Sequence, residues 1–158
     1  MPLVTETRQL FNSLIANGSV RFNSHPLNAA GATVTAGKSY AYGAWAQIIA
    51  TATITIDSWL CAVGIDTFST SVSRIWLIGV GLGVAGSEVL LSEHRFGLNQ
   101  DSAVGYYEQG LPYSLPRPIF VSSAANNRIS GEAGVSDANT PTANANVVMG
   151  TRFRGLGT

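Results

Sequence analysis

Short runs of alternating apolar and polar residues dominate this chain, and they constrain its fold more than any other feature. Successive side chains of a strand point to opposite faces, so a period of two marks a half-buried β-strand. In Ala32-Thr33-Val34-Thr35-Ala36 the threonines take one face and the apolar residues the other. In the run from Thr51 to Asp57, Thr51, Thr53, Thr55 and Asp57 oppose Ala52, Ile54 and Ile56. Downstream, Arg128, Ser130 and Glu132 alternate with Ile129, Ala133 and Val135, and Asn144, Asn146 and Arg152 with Ala143, Ala145, Val147, Met149 and Phe153. The stretch RIWLIGV, from Arg74, is apolar on both faces, the pattern of a central strand. The apolar phase changes from even positions (Ile54, Ile56) to odd ones (Cys61, Val63, Ile65), so a bend, bulge or strand break is expected near Asp57 and Ser58.

Turn-rich segments separate these runs: LNAAG, DTFSTS, GLNQDS, GLPYSLPRP, SAANN and SDANTPTAN. Eight or nine short strands with such connections predict an all-β chain, an antiparallel β-sandwich of jelly-roll type. The one stretch with helical spacing is ETRQLFNSLI, where Leu10, Phe11, Leu14 and Ile15 coincide; it ends at the turn signal Asn17-Gly18 and reads as a short helix or an arm. The expected organisation is an N-terminal arm over 1–30 and one β-sandwich domain over 31–158, a length that supports a real core.

Composition narrows the function. Hydrophobic residues make up 46% of the chain and charged residues only 11%, with nine cations balancing nine acids. Such a surface is either rich in Asn, Ser and Thr or covered by other subunits. Eight scattered arginines and the single Lys38 give no basic cluster, so nucleic acid is not an expected partner. The longest charge-free stretch, Ser39 to Ile56, is threaded with polar residues and reads as strands, so no membrane span is expected. The opening MPLVTETRQL carries Glu6 and lacks a cationic, apolar leader, so no signal segment is expected.

The chemical motifs are sparse. Gly81, Gly83 and Gly86 spell G-x-G-x-x-G, but a dinucleotide turn needs a helix to follow, and SEVLLSEHRFG brings no helical face. These glycines are expected to set a hairpin turn between two strands, with no ligand there. His25 and His94 lie far apart, and His94 sits among charged residues as on a solvated strand face. Cys61, the one cysteine, reads as a small buried residue and excludes an internal disulfide. The acids are spread singly, except Glu88 and Glu93 on one segment. No catalytic, cofactor-binding or metal-ligating residue is assigned, and no enzymatic activity is expected. Two aromatic groups remain, Tyr40 with Tyr42 and Trp45, and Tyr106 with Tyr107 and Tyr113. They are half-buried strand aromatics, interface anchors or a stacking platform for sugars.

The order of several segments resembles small β-sandwich structural proteins of tailed bacteriophages and prophages. The residues that carry the resemblance are Tyr42-Gly43, the GVAGSE stretch with Gly83, Ala85, Gly86, Ser87 and Glu88, Pro116 and Pro118 in a Pro-rich strand, and Arg128-Ile129. It spans about Tyr40 to Phe153. It departs at NNRISGE, where many members carry Gly-Thr before the arginine, which weakens carry-over of the local loop shape. The resemblance implies a component of the virion. The expected function is a head decoration (cement) protein on the particle surface, a homotrimer bound to the major capsid protein, with Pro2 to Arg21 and the terminal RFRGLGT reaching neighbours. The alternative is a tail or baseplate component that recognises host-surface glycans through the aromatic groups.

Overall fold

A computed structural model describes residues 9, 12–13, 15–26, 31–51, 53–68, 73–98, 113–123 and 127–152. Among the described residues there are nine strands: β1 (Val20–His25), β2 (Ala32–Gly37), β3 (Ala46–Ile49), β4 (Ser58–Phe68), β5 (Arg74–Gly83), β6 (Val89–Leu98), β7 (Tyr113–Val121), β8 (Arg128–Val135) and β9 (Thr142–Arg152). They form one mostly antiparallel, nearly barrel-shaped sheet in the order β6-β5-β8-β2-β9-β4-β7. The all-β class matches the sequence reading. Of the N-terminal stretch, Gln9, Asn12, Ser13, Ile15 and Ala16 are helical, Asn17 and Gly18 form a turn with Gly18 at φ 66°, and Val20–His25 pairs as β1.

Two strands, β9 and β8, organise the sheet. β9 pairs with β4 along one edge, while its other edge is divided between β1 (Val147 to Arg152) and β2 (Thr142 to Ala145). β8 pairs with β5 along one edge and divides the other between β3 (Ile129 to Gly131) and β2 (Ala133, Gly134). β2 therefore changes partner midway. Ala32 to Thr35 run antiparallel to β9, whereas Ala36 and Gly37 run parallel to β8. The two ends of the strand order, β6 and β7, line opposite banks of a groove of about 510 Å³, with Glu93 and His94 on one side and Pro116, Arg117 and Ile119 on the other.

One apolar cluster fills the interior. It takes Val34 and Ala36 from β2, Leu60, Val63 and Ile65 from β4, Trp76, Ile78 and Val80 from β5, Ile129, Ala133 and Val135 from β8, and Ala143, Ala145, Val147 and Met149 from β9. The alternations read from the sequence in β2, β8 and β9 are the ones the barrel uses. β5 lies between β6 and β8, and six consecutive residues from Trp76 to Gly81 are buried, as a central strand requires.

Several local expectations are corrected. Of the run from Thr51 to Asp57, the described residues are turn and coil; Ile54 is buried but Ile56 is exposed, and the strand begins only at Ser58. The phase change falls inside β4, where the register shifts between Leu60 and Ala62 and lets inward positions pass from Leu60 to Val63. Cys61 sits at that irregularity, half-buried, and its thiol is pushed up to about 11 by burial. The run GLPYSLPRP, which turn chemistry reads as a connection and the resemblance as a Pro-rich strand, enters strand β7 at Tyr113; Pro116 and Pro118 are tolerated because they fall where β7 leaves register with β4, on an outermost strand. His94 is 8% exposed rather than solvated, because it is in register with Ile78 on the inward face, leaving its neighbours Glu93 and Arg95 outside.

Beyond β2 the chain turns back through Lys38 to Trp45. Ser39 and Tyr40 adopt left-handed φ of 52° and 65°, an unfavourable conformation for non-glycine residues. It is held by hydrogen bonds from their amides to the carbonyls of Asp137 and Val135, each 2.7 Å, and by Gly43 N–H to Ala133 O at 2.8 Å. The backbones meet so closely that a Cβ on Gly43 would lie 2.1 Å from Thr35 O, and one on Gly134 2.6 Å from Ala41 O. Gly43→Ala is expected to lower unfolding free energy by about 3 kcal/mol in urea titrations. Gly97→Ala, with nothing within 4 Å of the added carbon, is the control and is expected to change stability by less than about 1 kcal/mol.

Candidate functional site

The turn from Lys38 to Trp45 lays its aromatic side chains on the outward face of β8, β5 and β6. Odd-numbered β5 residues and even-numbered β8 residues make this face, so Gly79 is opposite Glu132 and Gly81 opposite Ser130. On β6, Glu93 is in register with Gly79. Glycine is required at both β5 positions. The Trp45 ring covers Gly81, where a Cβ would come within 2.6 Å of Cη2, and the Glu132 side chain covers Gly79, where a Cβ would meet Cγ at 2.9 Å and Oε1 at 3.0 Å.

The hairpin read from the glycine-rich stretch is present between β5 and β6, with Gly83 at φ 151° and Gly86 at φ 80°; only the part given to Gly81 is corrected. Gly81 belongs to β5 and seats an indole. The turn is made by Val84 to Ser87, where Ser87 N–H donates to Val84 O at 2.9 Å and Gly86 has φ 80°. A strand follows, as read from the sequence.

Glu88 leaves this turn and packs against β8. Its Oε1 accepts from both Arg128 Nε (2.9 Å) and Arg128 Nη2 and from the Ser130 hydroxyl (3.2 Å), while Oε2 accepts from Gly86 N–H at 2.8 Å. Burial acts to push the Glu88 carboxyl up, but the Arg128 guanidinium and the backbone amides outweigh it and hold the group below the usual carboxylate value. Ser130, fully buried, shows how well this outward face is covered.

Tyr42 donates its phenolic hydrogen to Glu93 Oε2. Its own ionisation is pushed up, first by burial and then by the Glu93 carboxylate that accepts the hydrogen bond. Glu132 is 8% exposed, and burial together with the charges of Glu88 and Glu93 raises it to about 6. This face thus joins Tyr42, Trp45, Glu88, Glu93, Arg128, Ser130 and Glu132. What it can do chemically is hold hydrogen-bond donors and positive charge beside aromatic rings.

Of the aromatic groups singled out in the sequence, Tyr40 is exposed and Tyr42 and Trp45 are half-buried against this face. Tyr113 opens β7, and Tyr106 and Tyr107 lie outside the described residues. His25 is on β1 and His94 on β6, and burial lowers both below the ordinary imidazole value. Among the described residues no group of three His, Cys, Asp or Glu side chains is arranged to hold a metal ion. The pairing of Glu93 with Glu132 was invisible in the sequence because it depends on cross-strand register. The available signal was local: bare glycines at two alternate positions of an otherwise apolar central strand.

A second outward feature lies on the β1-β9-β4-β7 side. Phe22 is opposite Gly150, Gly150 opposite Trp59, and Trp59 opposite Phe120, which sets three aromatic residues in one row across four strands. Trp59 and Phe120 meet edge to face at 6.0 Å between ring centroids. Trp59 is buried with Val20 and Cys61 packed against it, whereas Phe22 and Phe120 are 49% and 41% exposed.

Glu132 makes stability depend on pH. Its folded value of about 6 lies above the ordinary 4.5, so the folded state favours the protonated form. The stabilisation is complete below about pH 4.5 and is lost as pH rises through about 6, a difference of about 2 kcal/mol. Glu132→Gln is expected to gain about 2 kcal/mol over wild type at neutral pH and nothing under acidic conditions, as read from urea unfolding at both.

No family model, no curated protein and no solved structure matches the chain.

Proposed function

We propose that the protein is a non-enzymatic structural component of a tailed-bacteriophage particle, a decoration (cement) protein that binds the outer surface of the head as a homotrimer and ties major capsid subunits together. The observation that carries the reading is the outward row Phe22, Trp59, Phe120 with its exposed terminal rings. Aromatic anchors on a rigid sheet are the group type that dominates interface energetics. Removing this apolar surface from water contributes roughly 25 cal/mol per Å². A chain with only 11% charged residues fits a surface shared with neighbours. The segment resemblance, from Tyr42-Gly43 through GVAGSE to Arg128-Ile129, supplies the class of particle.

The finer architecture belongs to the same reading. The β6-β5-β8 and β7-β4-β9 groups are taken as the two halves of a jelly-roll-like sandwich, joined through β2. Recognition of glycans by a tail component would call for an open platform of rings. Tyr42 and Trp45 are instead engaged with Glu93 and Gly81, which favours the head reading over the tail reading.

The protein is expected to sediment as a trimer and to co-sediment with undecorated phage heads. Replacing Phe22 and Phe120 together by serine is expected to weaken head binding by at least about tenfold without changing the circular dichroism spectrum. A stable monomer with no affinity for heads would overturn the proposal.

A further inference from the structure

The acidic face of β8, β5 and β6 lies apart from the aromatic row Phe22, Trp59, Phe120. Glu132 and Glu93 lie in one row on either side of Gly79. With no side chain between them, the Glu132 carboxyl lies over the Gly79 backbone, within the row that leads to Glu93. Glu132 is 8% exposed and, among the described residues, makes neither a hydrogen bond nor an ion pair. Its side chain is largely buried against Gly79, and no counter-charge among the described residues pairs with it. The charged groups around it are accounted for element by element. Arg128 on β8 is taken by Glu88, while Arg95 on β6 and Lys38 on the covering turn form no ion pair with either acid. Tyr42 contributes only a neutral donor, given to Glu93.

We propose that Glu93 and Glu132, flanked by the rings of Tyr42 and Trp45, bind one guanidinium or ammonium group of an organic cation. A planar guanidinium can donate from separate edges to two carboxylates, and an ammonium group gains from the aromatic faces beside it. A metal ion fits less well, because no third ligand of suitable type joins the pair among the described residues. In acid, a proton on Glu132 occupies the place of the missing charge. Cation binding releases that proton, so affinity rises with pH. The group is either a side chain of a partner protein or a free amine.

Calorimetric titration of the full chain with Nα-acetyl-L-arginine amide and with putrescine, at about pH 7.5 and about pH 5, tests this. At the higher pH at least one probe is expected to bind, with affinity falling at least about tenfold at the lower pH. Tighter binding of the arginine amide identifies a partner side chain as the source, and tighter binding of putrescine a free amine. Glu132→Gln and Glu93→Gln are each expected to abolish binding; Glu93 is exposed, so its variant tests the site without touching a buried side chain. The Phe22, Phe120 double variant is expected to bind the cation normally, which separates this site from head attachment. Absence of heat with both probes at the higher pH, binding unchanged in both glutamine variants, or displacement of the probe by equimolar calcium would overturn the assignment.

Discussion

The change of partner along β2 is the constraint on which the rest of the structure depends. A strand of six residues gives its first four to β9 and its last two to β8, and among the described strands it is the one that hydrogen-bonds to both. The amide of Ala36, at the switch, donates to Pro141 O at 2.8 Å and so stays satisfied while the neighbouring strand changes. Val34 and Ala36 face the interior on either side of the switch, where they join the β4 and β9 side chains to those of β5 and β8 in one core. Without β2 the sheet would be two separate groups, each with an open apolar face.

Both outward features follow from that join. The chain leaving β2 must double back along β8, and it fits only because Gly37, Gly43 and Gly134 carry no side chain where the backbones touch. That path delivers Tyr42 to Glu93 and Trp45 to Gly81. On the other side, β1 occupies the part of the β9 edge that β2 leaves unpaired, which brings Phe22 into the row with Trp59 and Phe120. The aromatic row proposed for head attachment and the acid pair proposed for cation binding are therefore held on one frame.

How much of this was legible depended on the range of the interaction. Alternation is local, and it located β2, β8 and β9 and the central position of β5. Proline punctuation misled at β7, because an outermost strand that leaves its partner's register tolerates the missing amide donors. Thr51 to Asp57 alternates without being a strand, since a pattern of polarity does not supply a partner edge. The break expected near Asp57 and Ser58 is present as the bend at Ile56 and the start of β4, whereas the change of inward phase lies further on, because the bulge at Cys61 is fixed by the pairing of Leu60 and Ala62 with β7 and β9. Charged neighbours made His94 look solvated, although alternation turns it inward between Glu93 and Arg95. The candidate site was the least legible part. Glu93 and Glu132 are 39 residues apart in the sequence, and they share a row only through the register that each keeps with Gly79.

Native-state hydrogen exchange along the strands is the most direct test of β2 as the single join. If the account holds, the slowest amides of β4 and β9 and those of β5 and β8 exchange with one common opening free energy, equal to that of global unfolding. They then shift together when Gly43→Ala loosens the turn behind β2. Two distinct opening energies, with the β5-β6-β8 group exchanging while β4 and β9 remain protected, would contradict it.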